Sequence, residues 1–265
     1  MSRFIFFIMV ILALLLSACG DSKSIPEDKT TIIKPPPVMN DLPIPDNRNL
    51  ENYQVLLVGN SHVRTNNLAK ILKLMLEKGT GKSSVATLAP GVGYLDSRMD
   101  DNVTKKMVES KNWSHIIWQA QKYSTTGKYT YSTIAAEYWV TLSKENKATP
   151  ILFPEHPREG NIEEGMRVYL LHRDIASLTA SCVAPIGPIW DHAIPAMPDI
   201  SFYTDGNHAS LAGTVLTALA FYQIISGKDA DKLAYIPEID LSKSLQTQLG
   251  QIAFSTLQQF TACDY

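Results

Sequence analysis

A serine hydroxyl becomes a nucleophile when a base takes its proton, and near neutral pH that base is usually a neutral imidazole steadied by a carboxylate. Ser61 is placed for the first role. It follows the apolar run Gln54-Val55-Leu56-Leu57-Val58 and Gly59-Asn60, and a helical repeat of apolar residues begins at Leu68. A strand, a tight turn and a helix put Ser61 where backbone N–H groups point outward and negative charge is stabilised. Asp205 and His208, three residues apart in Asp205-Gly206-Asn207-His208, supply a carboxylate and an imidazole in a turn before another apolar helix. His62, His115, His156 and His192 compete with His208, whereas His172 falls mid-helix and reads as structural. Asp191-His192 also pairs the two types, but neighbouring side chains in a strand or loop point apart. Glu155-His156, between Pro154 and Pro157, reads equally as a rigid loop or as a substrate contact. Trp118, Tyr123, Tyr129, Tyr131 and Trp190 are expected near strand ends, as core or as an apolar or sugar-stacking wall.

The elements that must position these groups alternate along the chain. Strands are expected at Gln54–Gly59, Ser83–Leu88, His115–Gln119, Pro150–Phe153 and Ser181–Pro185. Helices are expected at Asn66–Lys78, Asp101–Lys111, Ser132–Glu145, Glu163–Leu178, Ala209–Ile225 and Leu241–Phe260. Strands separated by helices form a parallel sheet covered on both faces, so the fold class is α/β, a three-layer α/β/α sandwich with a five-stranded parallel sheet. Ligands bind such sheets beyond the carboxyl ends of the strands. Ser61 and the Asp205–His208 turn both fall there.

Composition bounds the rest. The 265 residues are 45% apolar and 19% charged, ordinary for a globular chain, and a formal charge of -2 argues against a nucleic-acid partner. Three cysteines and six histidines show no zinc-type spacing, so no metal is expected. Residues 1–18 are the expected signal peptide: Arg3 precedes an apolar run from Phe4 to Leu16, too short to span a bilayer comfortably. Leu16-Ser17-Ala18-Cys19 resembles the lipobox of bacterial lipoproteins. The resemblance implies cleavage before Cys19, its modification by acyl chains such as palmitate, and a membrane-tethered location in the bacterial cell envelope, facing the periplasm or exterior. Residues 19–52 hold six of the fifteen prolines and are expected to be a tether, with the globular domain at 53–265. An oxidising compartment permits a disulfide between the two remaining cysteines, Cys182 and Cys263.

From Tyr53 to about Gly227 the chain resembles the SGNH, or GDSL-type, serine hydrolases, whose flavodoxin-like sandwich agrees with the expected elements. Gly59-Asn60-Ser61 resembles the first block of that family and Asp205-Gly206-Asn207-His208 the last. The resemblance implies Ser61 as nucleophile, His208 as general base and then acid, and Asp205 as its orienting carboxylate. It also implies an oxyanion hole from the Ser61 N–H, a glycine N–H after the second strand and a side-chain amide after the third. Gly91 fits the glycine, with Gly93 as the alternative. The family's asparagine block is missing after Trp118, and Gln119, or else Gln121, is expected to substitute. The implied activity is ester cleavage through an acyl-enzyme, without a cofactor, on a carbohydrate or small lipid ester. A non-catalytic envelope protein that binds a glycan or a partner, and an acyltransferase, are the rival readings.

Overall fold

The computed structural model describes residues 42–100 and 102–265. The expected signal peptide, Cys19 and residues 19–41 of the tether lie outside the described residues.

Five short strands, β1 (Tyr53–Val58), β2 (Ser84–Leu88), β3 (His115–Gln119), β4 (Thr149–Phe153) and β5 (Cys182–Val183), form one parallel sheet in the order β2-β1-β3-β4-β5. Side chains alternate across it. Val55 and Leu57 of β1 enter one apolar layer with Ile117 and Ile151, while Leu56 and Val58 enter the other with Ile116 and Leu152. Helices α1 (Leu68–Thr80), α5 (Ile186–Ala196), α6 (Leu211–Ser226) and α7 (Lys243–Gln259) contribute to the first layer. Residues of α2 (Asn102–Glu109), α3 (Ile134–Glu145) and α4 (Glu164–Leu178) contribute to the second. The three-layer α/β/α sandwich is as expected. Its order reverses at β1, which pairs with β2 on one side and β3 on the other, so the crevice beyond β1 and β3 is the topological switch point.

One helix differs from expectation. No helix is expected between the fifth strand and Ala209, yet residues 186–196 form α5. Pro188 falls in the first turn, where a missing N–H breaks no helical bond, and Pro195 next to the last residue. Gly187 permits a close crossing with α4, since a Cβ there would lie 2.1 Å from the Gly165 carbonyl oxygen.

The tether also ends earlier than expected. Asn47 donates through Nδ2 to the Ser114 and Lys147 carbonyls and to Thr149 Oγ1, at 2.8, 3.0 and 3.1 Å. Residues just before β1 therefore fasten to the amino-terminal ends of β3 and β4. At the other terminus a disulfide joins Cys182 of β5 to Cys263, and the Val183 N–H donates to the Ala262 carbonyl at 2.7 Å. The chain end is thus clamped onto the shortest strand.

Candidate active site

The turn after β1 is braced from several sides. Gly59 lies so close to β3 that a Cβ there would meet Gln119 Oε1 at 2.2 Å, and the Asn60 N–H donates to that oxygen at 2.7 Å. Asn60 Oδ1 in turn accepts from the His62 N–H at 3.0 Å, an Asx turn across Ser61. Buried Arg98 donates from Nη2 to the Gly59 carbonyl at 2.7 Å and to the Gly91 carbonyl at 3.2 Å, linking this turn to the loop after β2. Asn66 and Asn67 take left-handed backbone (φ 47° and 57°), which asparagine tolerates, so α1 starts at Leu68 rather than Asn66. This bend aims Asn66 Nδ2 at the Ala209 carbonyl and Thr214 Oγ1, both at 2.9 Å. The serine-bearing loop is therefore tied directly beside His208.

His208 sits just before α6, a helix buried nearly all round and capped by the Ser210 side chain on the Gly213 N–H. Its Nε2 lies 2.8 Å from Ser61 Oγ and its Nδ1 2.7 Å from Asp205 Oδ2. The other Asp205 oxygen accepts the His208 and Asn207 backbone N–H groups at 2.7 and 3.0 Å. The His208 backbone bond first, and then its side chain, hold the Asp205 carboxyl far below the usual carboxylate range. An ionised Asp205 favours hydrogen on Nδ1 and leaves the Nε2 lone pair facing the Ser61 hydroxyl. Residues separated by 147 positions thus form an alcohol, imidazole and carboxylate chain.

These groups open into a cavity of about 510 Å³ lined by Asn60, Ser61, His62, Tyr123, Arg158 and His208 among others. A larger cavity, about 860 Å³, lies beside it and shares Arg158, but contains none of Ser61, Asp205 and His208. The smaller cavity is the one that fits the chemistry. Behind His208 the His62 ring stacks at 5.3 Å between centroids, and His156 meets His62 edge-on at 5.1 Å. His156 lies flat on Trp190 at 3.9 Å and bonds through Nε2 to the Asn207 carbonyl at 2.9 Å. Burial, the larger effect, and neighbouring His62 push His156 down to about 3. Burial also lowers His62, against the opposing pull of Glu155, whose Oε2 is 3.6 Å from His62 Nε2. Two neutral imidazoles behind His208 place no positive charge against it.

The expected oxyanion amide is corrected by this geometry. Gln119 is fully buried, its Nε2 donates to Glu155 Oε1 and its Oε1 accepts from Asn60, so its amide is turned away from the cavity. Gln121 spends both amide hydrogens on the Lys122 and Ser132 carbonyls at 2.9 and 3.0 Å. Gly91 is exposed with φ 72°, and its carbonyl accepts from Arg64 at 2.6 Å; neither Gly91 nor Gly93 lines the Ser61 cavity. No hydrogen bond among the described residues engages the Ser61 or Gly91 N–H or the Asn60 Nδ2.

Other expected residues scatter. His115 is buried at the opposite end of the sheet, at the start of β3, with Nδ1 3.0 Å from Ser114 Oγ. His192, on α5, reaches Thr256 Oγ1 at 2.9 Å, while its neighbour Asp191 lines the larger cavity, raised by burial to about 6. Trp118 and Trp190 are core, Tyr123 and Tyr131 line the Ser61 cavity, and Tyr129 lines a third, smaller hollow. Glu155 lines the cavity and joins Gln119, Tyr123 and His62. Arg158 and Tyr94 were not singled out by sequence reasoning, although Arg158 lies only five residues beyond β4, on the loop at its carboxyl end.

No family model matches the chain, and no curated protein matches it. Solved structures do. A DUF4886 family protein from Bacteroides uniformis aligns with TM-score 0.64 at 14% identity, over 80% of this chain and 97% of its own. A protein from Slackia heliotrinireducens, described as a candidate SGNH hydrolase, aligns with TM-score 0.51 at 17% identity, over 65% and 98%. Axe2, an acetylxylan esterase from Geobacillus stearothermophilus, aligns with TM-score 0.52 at 13% identity, over 65% and 94%. Together with the strand order and the turn after β1, these alignments establish that the chain has the SGNH hydrolase fold.

Proposed function

We propose that the protein is a serine esterase working through an acyl-enzyme. The observation that carries this reading is the continuous path from Ser61 Oγ through His208 to Asp205, at 2.8 and 2.7 Å. Ser61 Oγ attacks the ester carbonyl as His208 Nε2 takes its proton, and Asp205 steadies the imidazolium. The oxyanion is held by the Ser61 N–H. We assign the side-chain donor to Asn60, a residue of the cavity lining whose Nδ2 makes no hydrogen bond among the described residues while its oxygen accepts the His62 N–H. Collapse of the tetrahedral intermediate breaks the bond to the alcohol oxygen, which leaves with the proton from His208. Water, activated by the same imidazole, then releases the acid and restores Ser61. Tyrosines 94, 123 and 131 around the cavity suit a ring-bearing alcohol such as a carbohydrate. The lipobox resemblance supports a protein anchored at Cys19 and facing an extracytoplasmic space.

The occupied Gln119 amide favours one rival, a binding protein that keeps the fold without turnover. Protein lacking residues 1–19 is incubated with p-nitrophenyl acetate and with a fluorophosphonate. Turnover and labelling that both vanish in Ser61→Ala are expected; absence of both in the unaltered protein removes the esterase and leaves the binding module. Acyl release that requires an added sugar acceptor identifies a transferase.

A further inference from the structure

Two cationic side chains, Lys122 and Arg158, line the Ser61 cavity, and they differ in how they are engaged. The Lys122 ammonium is paired with Asp96 at 2.5 Å and lies over the Tyr94 ring. Arg158 is exposed, and its guanidinium makes no hydrogen bond or ion pair among the described residues. Its backbone is nevertheless held firmly. The Arg158 N–H donates to the buried Glu164 carboxylate at 2.7 Å, and the next N–H, of Glu159, donates to the Gly206 carbonyl at 2.9 Å. Gly206 belongs to the turn that carries His208, so the guanidinium is mounted on the same framework as the imidazole. Its charge acts on His62 and Tyr123, opposing protonation of the first and favouring ionisation of the second. Because the neighbouring Glu159 is tied to Gly206 of the His208 turn, Arg158 stands on the imidazole side of Ser61. A departing alcohol must place its oxygen on that side to receive the proton.

We propose that Arg158 binds a carboxylate on the alcohol part of the ester, making this site selective for acidic esters. This rests on the esterase reading for the orientation of the alcohol. A guanidinium is suited to the task because its planar fork engages both oxygens of a carboxylate at once. Tyr94 and Tyr131, both substantially exposed at the rim, offer faces for the ring between the two ends.

The test is a binding measurement, so that it stands apart from turnover. The full chain carrying Ser61→Ala is titrated calorimetrically with 4-acetoxybenzoate and with 4-acetoxybenzamide, which share the acetyl group and ring and differ in the charge. The carboxylate is expected to bind about tenfold tighter. The preference is expected to disappear in Ser61→Ala/Arg158→Ala, to survive in part in Ser61→Ala/Arg158→Lys, and to shrink as salt rises. Equal affinities, a preference that persists without Arg158, or no measurable binding of either probe overturns the proposal. Turnover of p-nitrophenyl acetate by the unaltered protein reports separately on the esterase, so a failed charge preference alongside turnover condemns only the role of Arg158.

Discussion

Gln119 Oε1 accepts the Asn60 N–H at 2.7 Å, so the residue at the position where a catalytic amide is expected is instead a strut under the nucleophile turn. Its other end donates to Glu155, and the whole side chain is buried. Replacing it leaves the Asn60 N–H and the Glu155 carboxylate short of partners, and each orphaned buried group costs about 1–3 kcal/mol. Gln119→Ala is therefore expected to lower the unfolding free energy by about 2 kcal/mol or more. It should also lower kcat more than it raises KM, because the serine is misplaced rather than the substrate lost. Denaturant melts and steady-state kinetics on one preparation check both; a pure KM effect contradicts the strut.

Asn66 presents a separable brace. Asn66→Gly keeps the left-handed backbone available but removes the bonds to Ala209 and Thr214. The two segments bearing Ser61 and His208 lose a direct tie, and kcat is expected to fall roughly tenfold. Asn66→Asp retains an acceptor but loses the donor to the Ala209 carbonyl, and should resemble Asn66→Gly in kinetics.

Asp205→Asn preserves shape while removing the charge that steadies imidazolium. Depending on how its amide turns, it also presents a donor to His208 Nδ1 and favours the wrong tautomer. A loss on the order of a thousandfold in kcat is expected, with a lower melting temperature at neutral pH because the hydrogen-bonded carboxylate is gone. The carboxyl is depressed in the folded protein, so its ionised form contributes to stability above its unfolded value, and that contribution is lost as pH falls through the folded one. Unaltered protein should consequently lose stability in strong acid through this group, and Asp205→Asn should not.

Buried histidines set a second acid sensitivity, of the same sign but in a higher window. Burial pushes His115 and His156 down to about 3 and His172 down to about 4. The unfolded chain binds protons to these imidazoles below about pH 6.5 while the folded chain refuses them, so stability falls as pH drops from there towards 4. Calorimetric melts between pH 7 and 4 should show a progressive decline worth on the order of a few kcal/mol. A flat profile down to pH 4 would sink this assignment.

The bridge between Cys182 and Cys263 joins residues 81 positions apart. Closing a loop of that length in the unfolded chain is expected to contribute about 2–4 kcal/mol. Cys263→Ser, which spares the fully buried Cys182, should lower the unfolding free energy by that amount under oxidising conditions. Reductant should destabilise the unaltered protein and leave the variant unmoved.

Much of this architecture was legible from residue pattern. Apolar runs and helical repeats fixed the alternation of elements, the sandwich and the placing of Ser61, Asp205 and His208 beyond strand ends, because burial on both faces of a parallel sheet leaves a strong local signature. Where local rules and packing disagree, the pattern misled: α5 forms despite Pro188 and Pro195, and Asn47, inside a proline-rich stretch, fastens to two strands. Tertiary structure alone decided which way each polar side chain points. Gln119 and Asn60 both carry amides near Ser61, and nothing in their spacing tells which one donates to a buried carboxylate in the loop after β4 and which has an Nδ2 without a partner among the described residues. Hydrogen-bond direction is settled by partners brought together from distant parts of the chain, and so it is written in the fold rather than in any local run of residues.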